Sequence, residues 1–277
     1  MKKSNVTVIF ILFLLIGSAG CTDQYRSERD FYRATKLSRN ILINPEAIPP
    51  REFQRAVNAY KLVIERYPDT WSAKKAGVAL GSLYLAKGAY REAREKFEEI
   101  LGIYPADKNV AAEAKFLIGK SYENEEMWDK AILEYQELIK DYPDTVIGIG
   151  LPMYIAQYYE KGKDIIERNR IYGDVIMHYT EISEENPNTE IAFKADSFIA
   201  MCYLKIENWP QAVKSLGKLA MDYPMNENIE LTLRMVEDIS VSKLNSPELA
   251  VEIFDKFLKE YPDHPLREHL IRESNRL

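Results

Sequence analysis

Two stretches decide the reading of this chain. Leu80-Gly81-Ser82-Leu83-Tyr84 is followed by Ala93, Phe97 and Tyr104-Pro105. Ile118-Gly119-Lys120-Ser121-Tyr122 is followed at the same spacings by Ala131, Tyr135 and Tyr142-Pro143. Ala200-Met201-Cys202-Tyr203 opens a third copy with Ala in the Gly position.

Working outward, aromatic-Pro pairs recur at Tyr67-Pro68, Tyr104-Pro105, Tyr142-Pro143, Tyr223-Pro224 and Tyr261-Pro262, with Asn186-Pro187 as a variant. Successive prolines stand 37, 38, 44, 37 and 38 residues apart. Twelve residues before each proline stands Ala56, Ala93, Ala131, Val175, Ala212 or Ala250. Eight before stands Tyr60, Phe97, Tyr135, Tyr179, Leu216 or Phe254, and five before stands Val63, Ile100, Leu138, Ile182, Leu219 or Phe257. Fifteen before stands Phe53, Tyr90, Trp128, Tyr172, Trp209 or Pro247. Spacings of three, four and seven put these side chains on one face of a helix. The small residue permits close approach of a partner helix, and the large ones fill the space beyond it. Proline ends the helix, because it has no N–H and disfavours helical geometry in the residue before it.

The Leu-Gly-x2-Tyr element with this spacing to Ala, aromatic and Pro resembles the tetratricopeptide repeat. The resemblance covers about residues 24–277. It implies an all-α fold, a right-handed solenoid of about six helix pairs, with repeats ending near Pro68, Pro105, Pro143, Pro187, Pro224 and Pro262. Asp69-Thr70 and Asp144-Thr145 offer N-caps, so each first helix is expected to start soon after its proline. The first helix of repeat one, about residues 23–40, is followed by a loop holding Pro45 and Pro49-Pro50. Repeat four carries about seven extra residues around Lys161–Arg170, and Asp238 stands in the Gly position of repeat six. An amphipathic helix over about 265–275 is expected to cap the array.

The start of the chain reads as an export signal. Lys2-Lys3 precedes an apolar run from Val6 to Ile16, then Gly17-Ser18-Ala19-Gly20 and Cys21. The run is shorter than the ~20 residues of a spanning helix. Small residues directly before a cysteine resemble the bacterial lipobox, with Ser18 where that pattern favours Leu. The expectation is a signal peptide over residues 1–20, acylation of Cys21, and a solenoid domain over 21–277. Without Lys2 and Lys3, the charge of −6 becomes −8 for the mature chain. An acidic surface repels phosphate backbones, so nucleic acid is not an expected partner. Cys202 has no second thiol in the mature chain beyond Cys21, and reads as a small buried apolar residue. His178, His264 and His269 lack metal-ligand spacing, so neither a metal nor a cofactor is expected. The acidic residues sit at repeat-determined helix positions with no catalytic spacing, so no enzyme activity is expected.

In repeats of this kind partners bind along the first helices, an expectation carried by the resemblance. Their fifth and ninth positions supply the candidate groove: Val78, Ser82, Phe116, Lys120, Met153, Gln157 and Met201. Packing against neighbouring helices is the competing reading for each of them. A lipobox followed by such repeats resembles the outer-membrane assembly lipoproteins (BamD-like). That resemblance implies lipid anchoring on the periplasmic face of the outer membrane. It also implies envelope partners such as a β-barrel assembly component or unfolded outer-membrane protein segments. Two alternatives share these features: a periplasmic scaffold for cell division and envelope constriction, and a pilot lipoprotein for secretion or polysaccharide export.

Overall fold

The computed structural model describes the backbone from Ser4 to Leu277 and the side chains from Asp23 onward. Cys21, where acylation is expected, lies outside the described side chains. Thirteen α-helices follow one another among the described residues: α1 (Ser4–Ile43), α2 (Pro50–Arg66), α3 (Trp71–Ala86), α4 (Tyr90–Ile103), α5 (Lys108–Asn124), α6 (Trp128–Asp141) and α7 (Val146–Tyr159) come first. Then come α8 (Ile165–Glu185), α9 (Glu190–Lys205), α10 (Trp209–Asp222), α11 (Ile229–Ser242), α12 (Pro247–Glu260) and α13 (Arg267–Arg276). They pair into six hairpins plus a terminal helix, and among the described residues there is no strand.

The spacing rule explains each hairpin. The small residues twelve before proline are buried in all six repeats, and so are the large ones eight before. Tyr60, Phe97, Tyr135, Tyr179 and Phe254 are among the largest fully buried side chains of the molecule. Gly81 and Gly119 are small for a geometric reason. A Cβ on Gly81 would stand 2.3 Å from Phe97 Cε1, and one on Gly119 2.3 Å from Tyr135 Cε1. The paired helices therefore touch backbone to ring.

Helix ends follow the proline. α2, α4, α6, α10 and α12 stop two residues before it, with the tyrosine as C-cap. Those tyrosines also stitch one repeat to the last. Tyr104 donates to the Pro68 carbonyl at 2.9 Å, and Tyr261 donates to the Met221 carbonyl at 2.6 Å. Two residues after the first four of these prolines, a side-chain oxygen caps the next helix. Thr70 accepts from the Ala73 amide (3.2 Å), Asp107 from Val110 (3.3 Å), Thr145 from Gly148 (3.0 Å) and Thr189 from Ala192 (3.2 Å). The turn within each hairpin from α3 onward uses one left-handed residue: Gly88, Glu126, Gly162, Glu207 or Asn245.

Three features depart from a plain repeat. In repeat four, Tyr172 lies inside α8 rather than at its start, so the added residues lengthen the helix at its N-terminal end. The loop after α1 folds into a short 3-10 turn at Pro45–Ala47, and Pro50 begins α2. Asp238 does not occupy a glycine position. It is exposed, because the turn from Lys243 to Ser246 holds one residue more than the Lys87–Ala89 turn and shifts the register.

The chain divides into two compact units, Met1–Gly148 and Ile149–Leu277. In the first, each helix packs on the next, and α1 also packs on α3 and α3 on α5, so the first helices form a layer of their own. Its cores gather Tyr60, Val63, Leu80 and Leu83, and then Phe97, Ile100, Val110 and Ile118. In the second, Tyr172, Tyr179 and Cys202 form one core, and Leu216, Val236, Phe254 and Phe257 another. His264 is buried there, its Nε2 2.9 Å from the Pro224 carbonyl and its Nδ1 accepting from the Leu266 amide at 3.1 Å. These two contacts fix the neutral tautomer with the proton on Nε2.

Candidate partner-binding groove

The layer formed by α1, α3 and α5 carries an open cleft of about 710 Å³ in the first unit. Tyr60 and Val78 lie at its base, and Phe31, Tyr32, Leu42 and Ile43 of α1 form one wall. Ala79 and Ser82 of α3 form the other, with Lys75 and Glu113 across from them. Lys75 and Glu113 neutralise each other at 2.8 Å. Lys36 and Arg39 on the α1 rim have no acidic partner among the described residues. The cleft is thus apolar inside with a cationic rim, a surface suited to an apolar anchor flanked by acidic groups.

The wall is held in place by buried polar contacts. Ser38 on α1 is 2.7 Å from the Tyr60 hydroxyl, which joins α1 to α2. Tyr67 donates to Asp30 Oδ2 at 3.1 Å, and Arg29 and Arg33 lie within 3.2 and 3.5 Å of Oδ1. Asp30 is buried, and a buried carboxylate is tolerable because it is paired and hydrogen-bonded on both oxygens. Trp71 packs edge-on to Phe31 at 6.1 Å, joining α3 to α1. On the far side of α5, Arg94 of α4 donates to Ser121 at 3.0 Å, pairs with Glu125, and lies 4.3 Å from the Tyr122 ring centre.

Of the residues expected in a groove, Val78 and Ser82 fall in this cleft. Ser82 spends its hydroxyl on the Val78 carbonyl at 3.0 Å, so its outward surface is mostly apolar. Phe116 and Lys120 are half-buried on α5 and take part in hairpin packing. Phe116 stacks on Tyr135 at 5.7 Å, Lys120 pairs with Glu123 at 2.8 Å, and Glu123 accepts from the Tyr135 hydroxyl at 2.9 Å. In the second unit Met153 is buried. It is 3% exposed within the core of Tyr172 and Tyr179, because its turn of α7 faces α8. Gln157 is half-buried and Met201 is exposed on α9.

The second unit has its own buried charge. Asp196 of α9 accepts from Ser183 of α8 at 2.9 Å and from Lys218 of α10 at 2.6 Å. Burial alone would lower the Lys218 pKa, but hydrogen bonds to Asp196 and Asp222 hold it above its ordinary value. This triad ties three helices together.

Sequence reasoning missed Tyr32, Leu42 and Ile43. The available signal was Ile41-Leu42-Ile43 at the end of α1, one residue of which is buried and two exposed.

Tetratricopeptide repeat models match residues 51–108 and 113–145. Those stretches are tetratricopeptide repeats. They run from α2 to α6 and include both Leu/Ile-Gly elements and the α3 wall of the cleft. No curated protein matches the chain. Among solved structures, the TPR2AB domain of yeast Sti1 in complex with an Hsp90 peptide is similar at 15% identity. That likeness covers 94% of this chain and 98% of the other, with a TM-score of 0.34. A tetratricopeptide repeat protein from Parabacteroides merdae is similar at 13% identity over 89% of this chain and 99% of its own, with a TM-score of 0.30. The Cut9–Hcn1 assembly of APC/C is similar at 12% identity over 91% of this chain and 54% of that one, with a TM-score of 0.31.

Proposed function

We propose that this chain is a lipid-anchored envelope scaffold that holds partner proteins in the cleft between α1 and α3 and serves outer-membrane β-barrel assembly. The repeats themselves mark a protein-interaction scaffold. The observation that supports the binding role is the cleft, an apolar trough walled by α1 and α3 with Lys36 and Arg39 on its rim. Ser18-Ala19-Gly20-Cys21 after the apolar run supports anchoring through Cys21, with two or three acyl chains giving stable attachment. The likeness to outer-membrane assembly lipoproteins supports the assembly role. A partner segment with an apolar anchor and flanking carboxylates fits the trough.

The test begins with metabolic labelling by a tagged fatty acid. Wild type takes up label and fractionates with the outer membrane, and Cys21→Ser takes up none. Envelopes are then crosslinked and the chain is purified. Recovery of a β-barrel assembly component supports the assembly role. Recovery of division or peptidoglycan-linked proteins, or an unlabelled wild type, contradicts it.

A further inference from the structure

We propose that the exposed arc of α1 is a second membrane contact, lying on anionic phospholipid headgroups beside the acyl anchor. The inference rests on the anchored reading above. Around the axis of α1, Tyr25, Arg29, Tyr32, Lys36, Arg39 and Ile43 are exposed and recur at helical spacing, the last four running along the edge of the cleft. Arg26, paired with the exposed Asp23 at 3.8 Å, and Arg33 extend the same arc to five cations, and the exposed Glu28 stands at its other edge. The opposite face, with Ser27, Asp30, Ala34, Ser38 and Ile41, is buried.

Three properties point to a lipid surface. First, the sign is against the rest of the molecule. The mature chain carries −8, yet this arc gathers five cations. Asp30 sits beneath it and touches Arg29 and Arg33, but Lys36 and Arg39 have no acidic partner among the described residues. Second, the cations are interleaved with amphipathic aromatic side chains. Tyr25 is 68% exposed, Tyr32 69% and Ile43 76%, a combination that suits headgroup depth and is costly in open water. Third, position commits the arc to the membrane. Cys21 stands four residues before Tyr25, a distance of at most about 14 Å even for extended chain. An acylated Cys21 holds the start of α1 at the bilayer, where each cation near an anionic surface gains roughly fivefold in binding.

The test uses the full acylated chain with a fluorophore at Tyr32→Cys, the native Cys202 being buried. A control label stands at Leu62→Cys, on the exposed side of α2. Each is placed in vesicles containing bromolipids, either one-third phosphatidylglycerol or pure phosphatidylcholine. The expected result is quenching at position 32 in anionic vesicles only, lost in high salt, and reduced at least tenfold in binding strength by Lys36→Glu with Arg39→Glu. Position 62 stays unquenched throughout. An acylated chain showing no quenching at position 32 overturns the proposal, leaves the anchor standing, and returns the arc to an acidic protein partner. The mass of the N-terminal peptide reports acylation separately. Should it show none, the anchor reading fails, and salt-sensitive sedimentation with anionic vesicles decides the arc. Wild type then sediments and the double variant does not, or the proposal falls.

Discussion

Gly81→Ala and Gly173→Ala make the same chemical change in two helices and should move stability in opposite directions. Both replacements favour helix by about 1 kcal/mol. At Gly173 no atom outside its own helix lies within 4 Å of a new Cβ, so that gain should appear as stabilisation of up to about 1 kcal/mol. At Gly81 the new Cβ would stand 2.3, 2.7 and 2.8 Å from three Phe97 ring atoms. Carbon contacts relax at about 3.5–4.0 Å, so the ring must withdraw by about 1 Å. Phe97 is fully buried against Ile100, Val110 and Ile118 and has nowhere to go. Overpacking of this degree costs up to about 3 kcal/mol, which leaves a net loss of about 2 kcal/mol. Urea unfolding followed by far-ultraviolet circular dichroism reads both midpoints. Gly81→Ala with Phe97→Leu recreates the Ala200 and Leu216 pairing of repeat five and should recover most of the loss. Equal effects from the two glycines, or no recovery in the double variant, would refute backbone-to-ring packing as the reason for the repeat spacing.

Glu126 and Glu207 hold left-handed backbone at φ 61° and 57°, a conformation that costs a side-chain-bearing residue about 1 kcal/mol. Glu126→Gly and Glu207→Gly should therefore each raise the urea midpoint, and Gly88→Ala at φ 74° should lower it. Asp107 caps α5, and its hydrogen bond from Lys74 at 2.8 Å holds its carboxyl below the usual carboxylate range. A depressed carboxylate contributes above its unfolded pKa of about 4 and loses that contribution as pH falls through its folded value. Asp107→Asn keeps the cap and removes the ion pair, so between pH 5 and 3 its melting temperature should fall less than that of wild type. Cys202 is fully buried, and burial pushes its thiol up to about 12. It should resist a thiol reagent in native buffer and react at once in denaturant.

The hairpin cores were legible because proline sets a ruler. Once Pro105 and Pro143 end their helices, counting back twelve, eight and five lands on buried atoms in every repeat but one, where Ile182 is half-buried. Counting fails where the turn changes length. The turn between α11 and α12 is one residue longer and carries Asp238 into solvent, which no periodicity before it foretells. Repeat four fails differently. Its surplus residues continue α8 upstream of Tyr172, since Ile165 to Ile171 contains no Gly or Pro to interrupt a helix capped at Asp164. The groove was legible only in part. Val78 and Ser82 follow from their place on α3, but the opposing wall belongs to α1, which carries no Leu-Gly element to align. Val78 and Met153, both fifth-position residues, are 4% and 3% exposed, because coverage by neighbouring helices is a tertiary property.

Site-specific photocrosslinking in intact cells tests the scaffold most directly. A benzophenone amino acid is placed at Ser82, inside the cleft, and in a second strain at Glu95, on the exposed side of α4. The account predicts a discrete crosslinked product from position 82 that contains a β-barrel assembly component, and none from position 95. Products of equal yield from both positions, or none from position 82 in cells where the chain is acylated, would contradict it.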